Sequence, residues 1–395
     1  YASNSVLSQG RWVKIGITED GVYRLTAADL RRMGFNDPSR VKLYGYGGHV
    51  QDEVIDADTD FDDLEEVPLY RDERGLLFFG KGLISWSATD RRGRATHRVN
   101  TFAKQACYFL TEGDSPRTIE KAAVSGSPQK NLDYTPANVL YKKEEYAWYQ
   151  SGRNFYESAN YASSNSRTYQ LPVVDPVASA GGSLKVSFTA HTTKDEGDSY
   201  VTPTVDGVKL SAMRISWSGE YDAAKEGTQT YTLNTLHEGT TGTQVTLVST
   251  AGVDGRLGYL ELCYRRQLKM RDAFLYIRHT ETVPSNFVID ANGRSGLKLW
   301  CLGRRGNPMT EYQGTWSGST YTVPVSDPTV EYVAVDVNAD FPSPSYIGEV
   351  ANQNLHATPA TDMVIIIPAS GKLYAQAERL AEAHRSVDGL RVQIV

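Results

Sequence analysis

The sequence has few cysteines, and none of them forms a metal-binding or redox pattern. The three are Cys107, Cys263 and Cys301 in a chain of 395 residues. Each lies among apolar neighbours, and none belongs to a C-x-x-C pair, which excludes the usual ligand spacing of a structural zinc site. We expect buried structural thiols. An odd number also means that the three cannot all pair within one chain.

Long hydrophobic runs and clusters of basic residues are also absent. No apolar run reaches the roughly 18 residues that a membrane span requires, and no signal-peptide pattern is present at Tyr1. The chain is therefore either cytoplasmic or the mature form of an exported protein. The net charge of −6 and the pI near 5.7 argue against a nucleic-acid partner, because phosphate binding needs clustered lysine and arginine. The arginines between 91 and 98 lack interleaved aromatic residues, and we interpret them as solvated surface.

Motifs for catalysis are missing as well. The sequence contains neither G-x-S-x-G nor H-E-x-x-H. A cysteine peptidase needs a thiolate with a base within hydrogen-bond reach, and none of the seven histidines is followed by glycine, nor does a cysteine follow the C-terminal segment. The GYGG stretch at 45–48 lacks the remaining glycine and the lysine of a phosphate-binding loop. We therefore predict no catalytic residue and no cofactor-binding residue in this chain.

What the sequence has in abundance is tyrosine and glycine. It contains 24 tyrosines and 34 glycines against 11 phenylalanines, a composition typical of extracellular β domains, because tyrosine suits a half-exposed strand face. Alternation of apolar residues is strong in SLKVSFTA, QVTLVST and LGYLELCYR. Asp206-Gly207 and Asp254-Gly255 mark turns between such strands. This pattern predicts a β-sandwich or jelly roll.

The last 45 residues differ from the rest. MVIII reads as a strand of a parallel sheet, the residues from Leu373 to His384 have helical spacing, and LRVQIV reads as a second strand. The fold class we predict is mainly β and multidomain, with a sandwich or jelly-roll-like domain and a short C-terminal βαβ unit. The predicted divisions are an N-terminal β-rich domain with one short helix (1–135), the sandwich-like domain (136–270), a further β region (271–350) and the start of an α/β domain (351–395).

Two stretches are candidate binding sites. Asp56, Asp58 and Asp60 have the D-x-D-x-D spacing of a calcium loop, but Phe61 replaces the required glycine and Val67 the final glutamate. The stretch is therefore either a structural calcium site or a solvated acidic loop. The second stretch is aromatic and contains Trp148, Tyr149, Phe155, Tyr156 and Tyr161. It is either a platform on which a sugar could stack or ordinary packing of aromatic residues.

Several motifs together resemble one family. NQNLH at Asn352–His356, the strand MVIII and QAERLAEAHRSVDGLRV look like the entry into the catalytic domain of the PorU family. VLSQGRWVKIGITEDGVYRLTAADLRRMGF, FDDLEEVPLY, GLLFFGKG and YRRQLKM (Tyr264–Met270) resemble the preceding part of the same family. These proteins are the sortases of the type IX secretion system of Bacteroidetes, and their catalytic domain is similar to gingipain cysteine peptidases. The resemblance is thinnest from Ala291 to Pro328.

The resemblance implies a function for the parent protein rather than for this chain alone. Such a sortase removes C-terminal signal domains from exported cargo and attaches the cargo to anionic lipopolysaccharide at the cell surface. The family's catalytic histidine and cysteine lie downstream of the βαβ unit, so no catalytic residue is carried over to this chain. We expect a truncated, non-catalytic N-terminal region that binds cargo or other type IX components. It would sit at the outer membrane after removal of a signal peptide. The alternative is an extracellular carbohydrate-binding or adhesin module.

The resemblance also sets an expectation for the C-terminal segment. A parallel strand such as MVIII needs cover on both faces, and one helix covers only one of them. We expect this segment to dock against the preceding β domain, or to take a position that is stabilised by the truncation.

Overall fold

The computed structural model describes residues 1–54, 61–90, 93–149, 153–303 and 308–395. In the first part of the chain the elements are β1 (Trp12–Ile17), β2 (Gly21–Leu25), α1 (Ala27–Arg32), β3 (Val41–Tyr44), β4 (Glu66–Val67), β5 (Tyr70–Asp72), β6 (Gly75–Gly80), β7 (Ile84–Trp86), β8 (His97–Val99) and β9 (Ala106–Glu112). In the middle they are β10 (Glu120–Lys121), β11 (Lys130–Leu132), β12 (Tyr134–Lys142), β13 (Ser166–Val173), β14 (Gly182–His191), β15 (Ser199–Val205), β16 (Val208–Lys209), β17 (Met213–Ile215), β18 (Lys225–Leu233), β19 (Gly239–Ser249) and β20 (Asp254–Gln267).

The remaining elements follow in the same order. They are β21 (Phe274–Ile277), β22 (Ser285–Asp290), β23 (Leu297–Cys301), β24 (Thr310–Tyr312), β25 (Thr315–Ser317), β26 (Thr320–Val325), β27 (Tyr332–Asp336), β28 (Ser345–Val350), β29 (Met363–Ile365), α2 (Tyr374–Val387) and β30 (Val392–Ile394). Three short 3-10 turns lie at Val6–Ser8, Pro38–Arg40 and Leu355–Ala357. Strands dominate, so the predicted mainly β, multidomain fold class is confirmed.

Unit I is built from two sheets and one helix. The larger sheet has the order β28-β1-β9-β3-β4, and the smaller has the order β2-β6-β5. Helix α1 begins at a capping box, in which Thr26 Oγ1 accepts from the Asp29 N–H at 3.1 Å and an Asp29 carboxylate oxygen accepts from the Thr26 N–H at 3.0 Å. Gly34, with φ of 85°, follows the helix end, where a glycine in the left-handed conformation commonly ends a helix. The apolar face of α1 and both sheets enclose one core.

Unit II is the sandwich that the alternating sequence predicts. One sheet has the order β12-β20-β14-β18, and the other has the order β13-β19-β15-β16, with β17 paired to β15. Leu184, Val186 and Phe188 of β14 are fully buried between the sheets, which confirms the period-two pattern of that strand. Strand β20 lies between β12 and β14, as expected from apolar residues on both of its faces.

Unit III is a second sandwich, with sheets of order β10-β24-β23-β27-β21 and β11-β22-β26-β25. Its strands come from distant parts of the sequence. Strands β10 and β11 pair with β24 and β22, although they precede unit II in the chain. Strand β28, which follows unit III, returns to pair with β1 of unit I. The predicted divisions at residues 135, 270 and 350 stay predictions, and these pairings run across two of them.

Units I and III share a water-excluding core. Strand β6 is buried along its whole length, and its side chains alternate between the core of unit I and this shared core. The buried members of the shared core are Val22, Leu77, Phe79, Trp300, Met309, Val333, Val335 and Val337. Burial on both faces explains why GLLFFG reads as a continuous apolar run.

A hairpin of unit I joins it to unit II. Strands β7 and β8 form an antiparallel pair, and His97 at the start of β8 contacts Glu261 of the central strand β20. The His97 backbone N–H donates to Glu261 Oε2 at 3.1 Å, and His97 Nδ1 lies 2.6 Å from the same oxygen. The two side chains are 7% and 3% exposed. A buried carboxylate is therefore satisfied by a residue of another unit.

The C-terminal residues form the predicted βαβ unit. Strands β29 and β30 pair in parallel, and α2 packs against β30. Among the described residues, several apolar side chains of this unit face solvent, including Val364, Ile366 and Leu380, which are 56%, 82% and 47% exposed. The expected docking of this segment on the preceding β domain is therefore wrong for these side chains.

The three cysteines differ in burial. Cys263 is buried, and its burial raises the pKa of the thiol to about 11, whereas Cys107 and Cys301 are half-buried. The prediction of buried thiols is thus confirmed for Cys263 and wrong for the other two.

In the parts of the chain that the structure describes, no helix combines the length and the hydropathy needed to cross a bilayer.

The shared core makes a stability prediction. Leu77→Ala removes a fully buried side chain between units I and III, and we expect the free energy of unfolding to fall by about 2–5 kcal/mol. Leu380→Ala is the control, because Leu380 is 47% exposed on α2 and should change stability by about 0.5 kcal/mol or less. Urea unfolding followed by tryptophan fluorescence measures both. Equal effects of the two variants would show that the shared core does not stabilise the fold.

The hairpin contact makes a second prediction. His97→Ala removes the side-chain partner of the buried Glu261 carboxylate and leaves it only the backbone N–H of residue 97, so we expect a loss of about 1–3 kcal/mol in unfolding free energy. His384→Ala is the matched control, because His384 also lies 2.6 Å from a carboxylate, that of Asp388, but the two side chains are 31% and 49% exposed, and such surface pairs contribute about 0–1 kcal/mol. Thermal and urea unfolding of the two variants test this. A His97 variant as stable as the His384 variant would contradict the role of the pair.

Candidate functional site

A cleft of about 950 Å³ lies between unit I and unit III. Its walls come from the loop after β3, the segment around β4, the end of β6, the middle of β9 and the residues after β23. The volume falls in the range of about 300–1,000 Å³ that is typical of ligand sites. Because the shared core holds the two units together, the opposite walls of the cleft are fixed relative to each other.

The glycines of the loop after β3 are required by close packing. Gly47 has φ of 87°, and a Cβ there would lie 2.7 Å from Lys81 Cβ. A Cβ on Gly48 would lie 2.6 Å from Ala106 Cβ. The GYGG stretch therefore lets the loop approach β6 and β9, and its glycines have a structural reason that is independent of phosphate binding.

Aromatic rings form much of the cleft surface. Tyr46 and Phe61 pack with ring centroids 4.2 Å apart, and Tyr44 packs edge-on against Trp12 at 5.1 Å. Tyr44, Tyr46, Phe61 and Phe109 are all half-buried. Each ring therefore keeps an apolar surface that a bound molecule could cover.

One end of the cleft is organised around Glu66. Its carboxylate accepts from the Arg117 backbone N–H at 2.6 Å, lies 3.3 Å from Lys42 Nζ and accepts from the Tyr44 hydroxyl at 3.5 Å. Burial, reinforced by the negative charge of Glu66, raises the pKa of Tyr44 to about 12. The Tyr44 hydroxyl is therefore protonated at neutral pH.

The other end carries both signs of charge. Lys81 Nζ lies 3.7 Å from Glu331, and His49 Nε2 lies 3.8 Å from Asp20. Burial acts to raise the pKa of Glu331, but the attraction of Lys81 and the hydrogen bond from Tyr276 outweigh it, so that the pKa is lowered. Glu331 is therefore ionised at neutral pH and holds Lys81, which lines the cleft. With Glu66 at the opposite end, the cleft offers charged groups of both signs beside its aromatic surface.

Cys107 and His49 of the cleft are not arranged as a nucleophile and its base. Cys107 lines the wall, but its Sγ contacts the Gln105 carbonyl oxygen at 3.8 Å. His49 faces Asp20 instead of this thiol. A cysteine nucleophile would need a base within hydrogen-bond distance, and the contacts of these two side chains do not supply that arrangement.

The predicted calcium ligands lie outside the described residues. Asp56, Asp58 and Asp60 fall in the segment 55–60, so the calcium hypothesis stays a prediction. The next two acidic residues have other roles, because Asp62 and Asp63 accept hydrogen bonds from the backbone N–H groups of Ala2 and Val6. Within the described residues, no group of three or more histidine, cysteine, aspartate or glutamate side chains could hold a metal ion.

The aromatic residues between 148 and 161 do not form one exposed platform. Tyr156 and Tyr161 are 7% and 0% exposed, so their rings are not available to a sugar. Trp148 donates from Nε1 to Thr189 Oγ1 at 3.1 Å on the outer face of unit II. Tyr149 remains exposed, and its hydroxyl accepts from the Ala223 N–H at 2.9 Å. Of the two interpretations of this stretch, the burial of Tyr156 and Tyr161 supports ordinary packing of aromatic residues.

Sequence reasoning missed the cleft because its walls come from several separate segments of the chain. The available signal was the loop sequence YGYGGHVQ, in which tyrosines alternate with glycines. Tyrosine beside small residues is the composition that many protein-binding loops use, since tyrosine supplies a large amphipathic surface at low entropic cost.

Comparison with solved structures finds a protein that this chain resembles over its whole length. No family model matches the chain, and no curated protein matches it significantly. The crystal structure of dimeric latent PorU from Porphyromonas gingivalis superposes with a TM-score of 0.84 at 26% sequence identity, covering 100% of this chain and 38% of that chain. The structure of infectious bursal disease virus Gx strain gives a TM-score of only 0.19 at 9% identity, which carries no structural information.

The superposition agrees with the motifs found independently in the sequence. It extends over the whole chain, including NQNLH and the βαβ unit near one end and the GRWVKIGIT strand near the other. The chain spans less than two fifths of the PorU chain that it matches. The resemblance to the PorU family is therefore confirmed, and this chain has a mainly β, multidomain fold similar to that of the PorU region on which it superposes.

Proposed function

We propose that this chain is the non-catalytic N-terminal region of a cell-surface sortase of the type IX secretion system. The parent enzyme would remove C-terminal secretion signals from exported cargo and attach the cargo to anionic lipopolysaccharide. The single observation that carries the proposal is the superposition on PorU over the full length of this chain, with a TM-score of 0.84.

The βαβ unit supports the assignment of a scaffolding role. Parallel strands are normally covered on both faces, yet Val364 and Ile366 in and after β29 are exposed, as is Val387 at the end of α2. We assign these apolar surfaces to contacts with the remainder of a gingipain-like peptidase domain. On this proposal, units I to III form the body on which the peptidase domain is mounted.

The histidine of this unit fits a structural role. His384 Nδ1 lies 2.6 Å from Oδ2 of Asp388 at the end of α2. The two residues are four positions apart, so they are neighbours on one face of the helix end. The proposal therefore places the catalytic histidine and cysteine of the parent enzyme outside this chain.

The cleft is the site where we place the binding of exported cargo. Its surface combines Tyr46, Phe61, Phe109, Met309 and Arg117, which are residue types enriched in protein interfaces. Its floor and walls are held by the shared core, so little ordering entropy is lost on binding. The mixture of Lys81, Glu66 and aromatic rings suits an extended peptide segment with both polar and apolar side chains. Other type IX components are further partners in this proposal.

Binding of cargo to the cleft can be measured directly. We expect the purified chain to bind a cargo protein that carries its C-terminal signal domain, and Phe109→Ala to weaken this binding about tenfold or more, since aromatic anchors dominate interface energetics. Phe102→Ala is the matched control, because Phe102 is 85% exposed and does not line the cleft, and it should change the affinity by about twofold or less. Biolayer interferometry with immobilised cargo provides the measurement.

Two outcomes would contradict the proposal in different ways. Equal binding by the Phe109 and Phe102 variants would remove the cleft from the proposal but leave the scaffolding role. Thiol-sensitive hydrolysis of a cargo peptide by this chain would instead show that the chain is catalytic by itself. Binding of bacterial polysaccharide without any binding of cargo would favour the alternative of a carbohydrate-binding or adhesin module.

A further inference from the structure

Three distant parts of the chain meet where the sheet of unit I leads into the βαβ unit. They are residues 2–10, called the strap, residues 62–63, and residues 352–356, called the linker. Strands β1 and β28 are paired antiparallel with Trp12 opposite Val350. The strap before β1 and the linker after β28 therefore leave the sheet side by side.

Side-chain amides of the linker continue this pairing beyond the sheet. Asn352 Nδ2 donates to the carbonyl oxygens of Leu7 and Gly10, at 2.9 Å in both cases. The backbone N–H of Gln353 donates to the same Leu7 carbonyl at 3.2 Å. The linker is thus fastened to the backbone of the strap, which holds it whatever the strap side chains are.

Asn354 and Gln353 fasten the linker to the middle of the strap. The Ser5 N–H donates to Asn354 Oδ1 at 2.8 Å, and Asn354 Nδ2 donates to Asn4 Oδ1 at 2.7 Å. Gln353 Nε2 donates to Ser5 Oγ at 3.2 Å. Ser5 is only 3% exposed, so breaking these bonds would leave polar groups that water reaches poorly until the strap moves.

Asp62 and Asp63 anchor the strap from the opposite side. Asp63 Oδ2 accepts from the Val6 N–H at 2.7 Å, and Asp62 Oδ2 accepts from the Ala2 N–H at 2.6 Å. Asp62 also lies 3.7 Å from Nδ1 of His356 in the linker. The strap is therefore held between two acidic residues and two asparagines. The bonds to the acidic residues position the strap for the asparagines, and the bonds to the asparagines position it for the acidic residues.

The βαβ unit beyond the linker is held mainly by its own contacts. Arg391 binds Asp362 through two N–H groups at 2.8 Å each, and Arg385 donates to the Val392 carbonyl at 3.0 Å. Ala357, Pro359 and the residues up to the start of β29 are largely exposed. The orientation of the unit therefore depends on how the linker is fixed.

We propose that the strap, the linker and Asp62–Asp63 form a conformational lock on the βαβ unit. In the closed state the strap holds Asn352–Asn354 against unit I and fixes the orientation of the βαβ unit. When the strap is displaced, the amide bonds are lost together and the unit turns about the exposed residues 357–361. Because the lock consists of individually weak polar bonds, it opens at lower cost than the water-excluding core between units I and III.

Spin-label distances test the lock. Nitroxides are attached to p-acetylphenylalanine at positions 114 and 382, where the native side chains are 93% and 69% exposed, so that the native cysteines need not be changed. We expect one narrow distance distribution in the otherwise unaltered chain and a clearly broader one in Asn352→Ala/Asn354→Ala. Asn286→Ala is the control, because its amide bonds to Asn131 at an exposed site of unit III, and its distribution should stay narrow. Equal widths in all three proteins would overturn the proposal.

Hydrogen exchange gives a second test, and its first measurement needs only the unaltered chain. In the unaltered chain, the amides of Ser5, Val6 and Gln353 should open together, with protection factors within about threefold of one another. In the double asparagine variant, the Val6 amide should exchange about tenfold faster or more, although its acceptor is Asp63 and not an asparagine. Protection factors that differ by more than about tenfold in the unaltered chain would show separate local bonds and refute a common lock.

Discussion

The burial of β6 on both faces is the constraint on which the arrangement of units I and III depends. Leu76 and Phe78 belong to the core of unit I, whereas Leu77 and Phe79 belong to the shared core. Side chains alternate along a strand, so that one strand can serve two cores without a gap between them. Sliding one unit over the other would expose both sets of side chains to water, and the cleft between the units therefore has walls of fixed separation.

The βαβ unit is attached by a different kind of interaction. Asn352 and Asn354 bond to the strap through amide groups, and such bonds exchange readily with bonds to water, so their net contribution is small. An apolar core resists partial opening, since every displaced side chain loses contacts. Units I to III are joined by apolar surface and a buried pair, whereas the βαβ unit is joined to them by exchangeable polar bonds. Units I to III can therefore stay rigid while the βαβ unit reorients.

Local patterns in the sequence predicted elements, but not their partners. The alternation from Leu184 to Phe188 and the βαβ unit are each specified within a short stretch of sequence, and both predictions are confirmed. The capping box at Thr26 is equally local, since it involves only residues 26–29. The pairing of β1 with β28 joins residues at opposite ends of the chain, and periodicity does not identify which strand lies alongside another. Likewise, the spacing of the aromatic residues around Tyr156 shows that rings are present, whereas their burial depends on a sheet folded from later residues.

The cleft and the lock meet at one short segment. Phe61 packs on Tyr46 in the cleft wall, the Tyr46 hydroxyl donates to the Asp63 carbonyl, and the Asp63 carboxylate holds the strap. A ligand that displaced Tyr46 would disturb the anchor of the strap. Such a ligand would bind the cleft with different affinities when the lock is closed and when it is open. Linkage then requires the reverse effect, in which the state of the lock alters the affinity of the cleft by the same factor. The shared core holds the other walls of the cleft in place, so they cannot move to accommodate the ligand. The displacement would therefore be passed to Tyr46 and the strap.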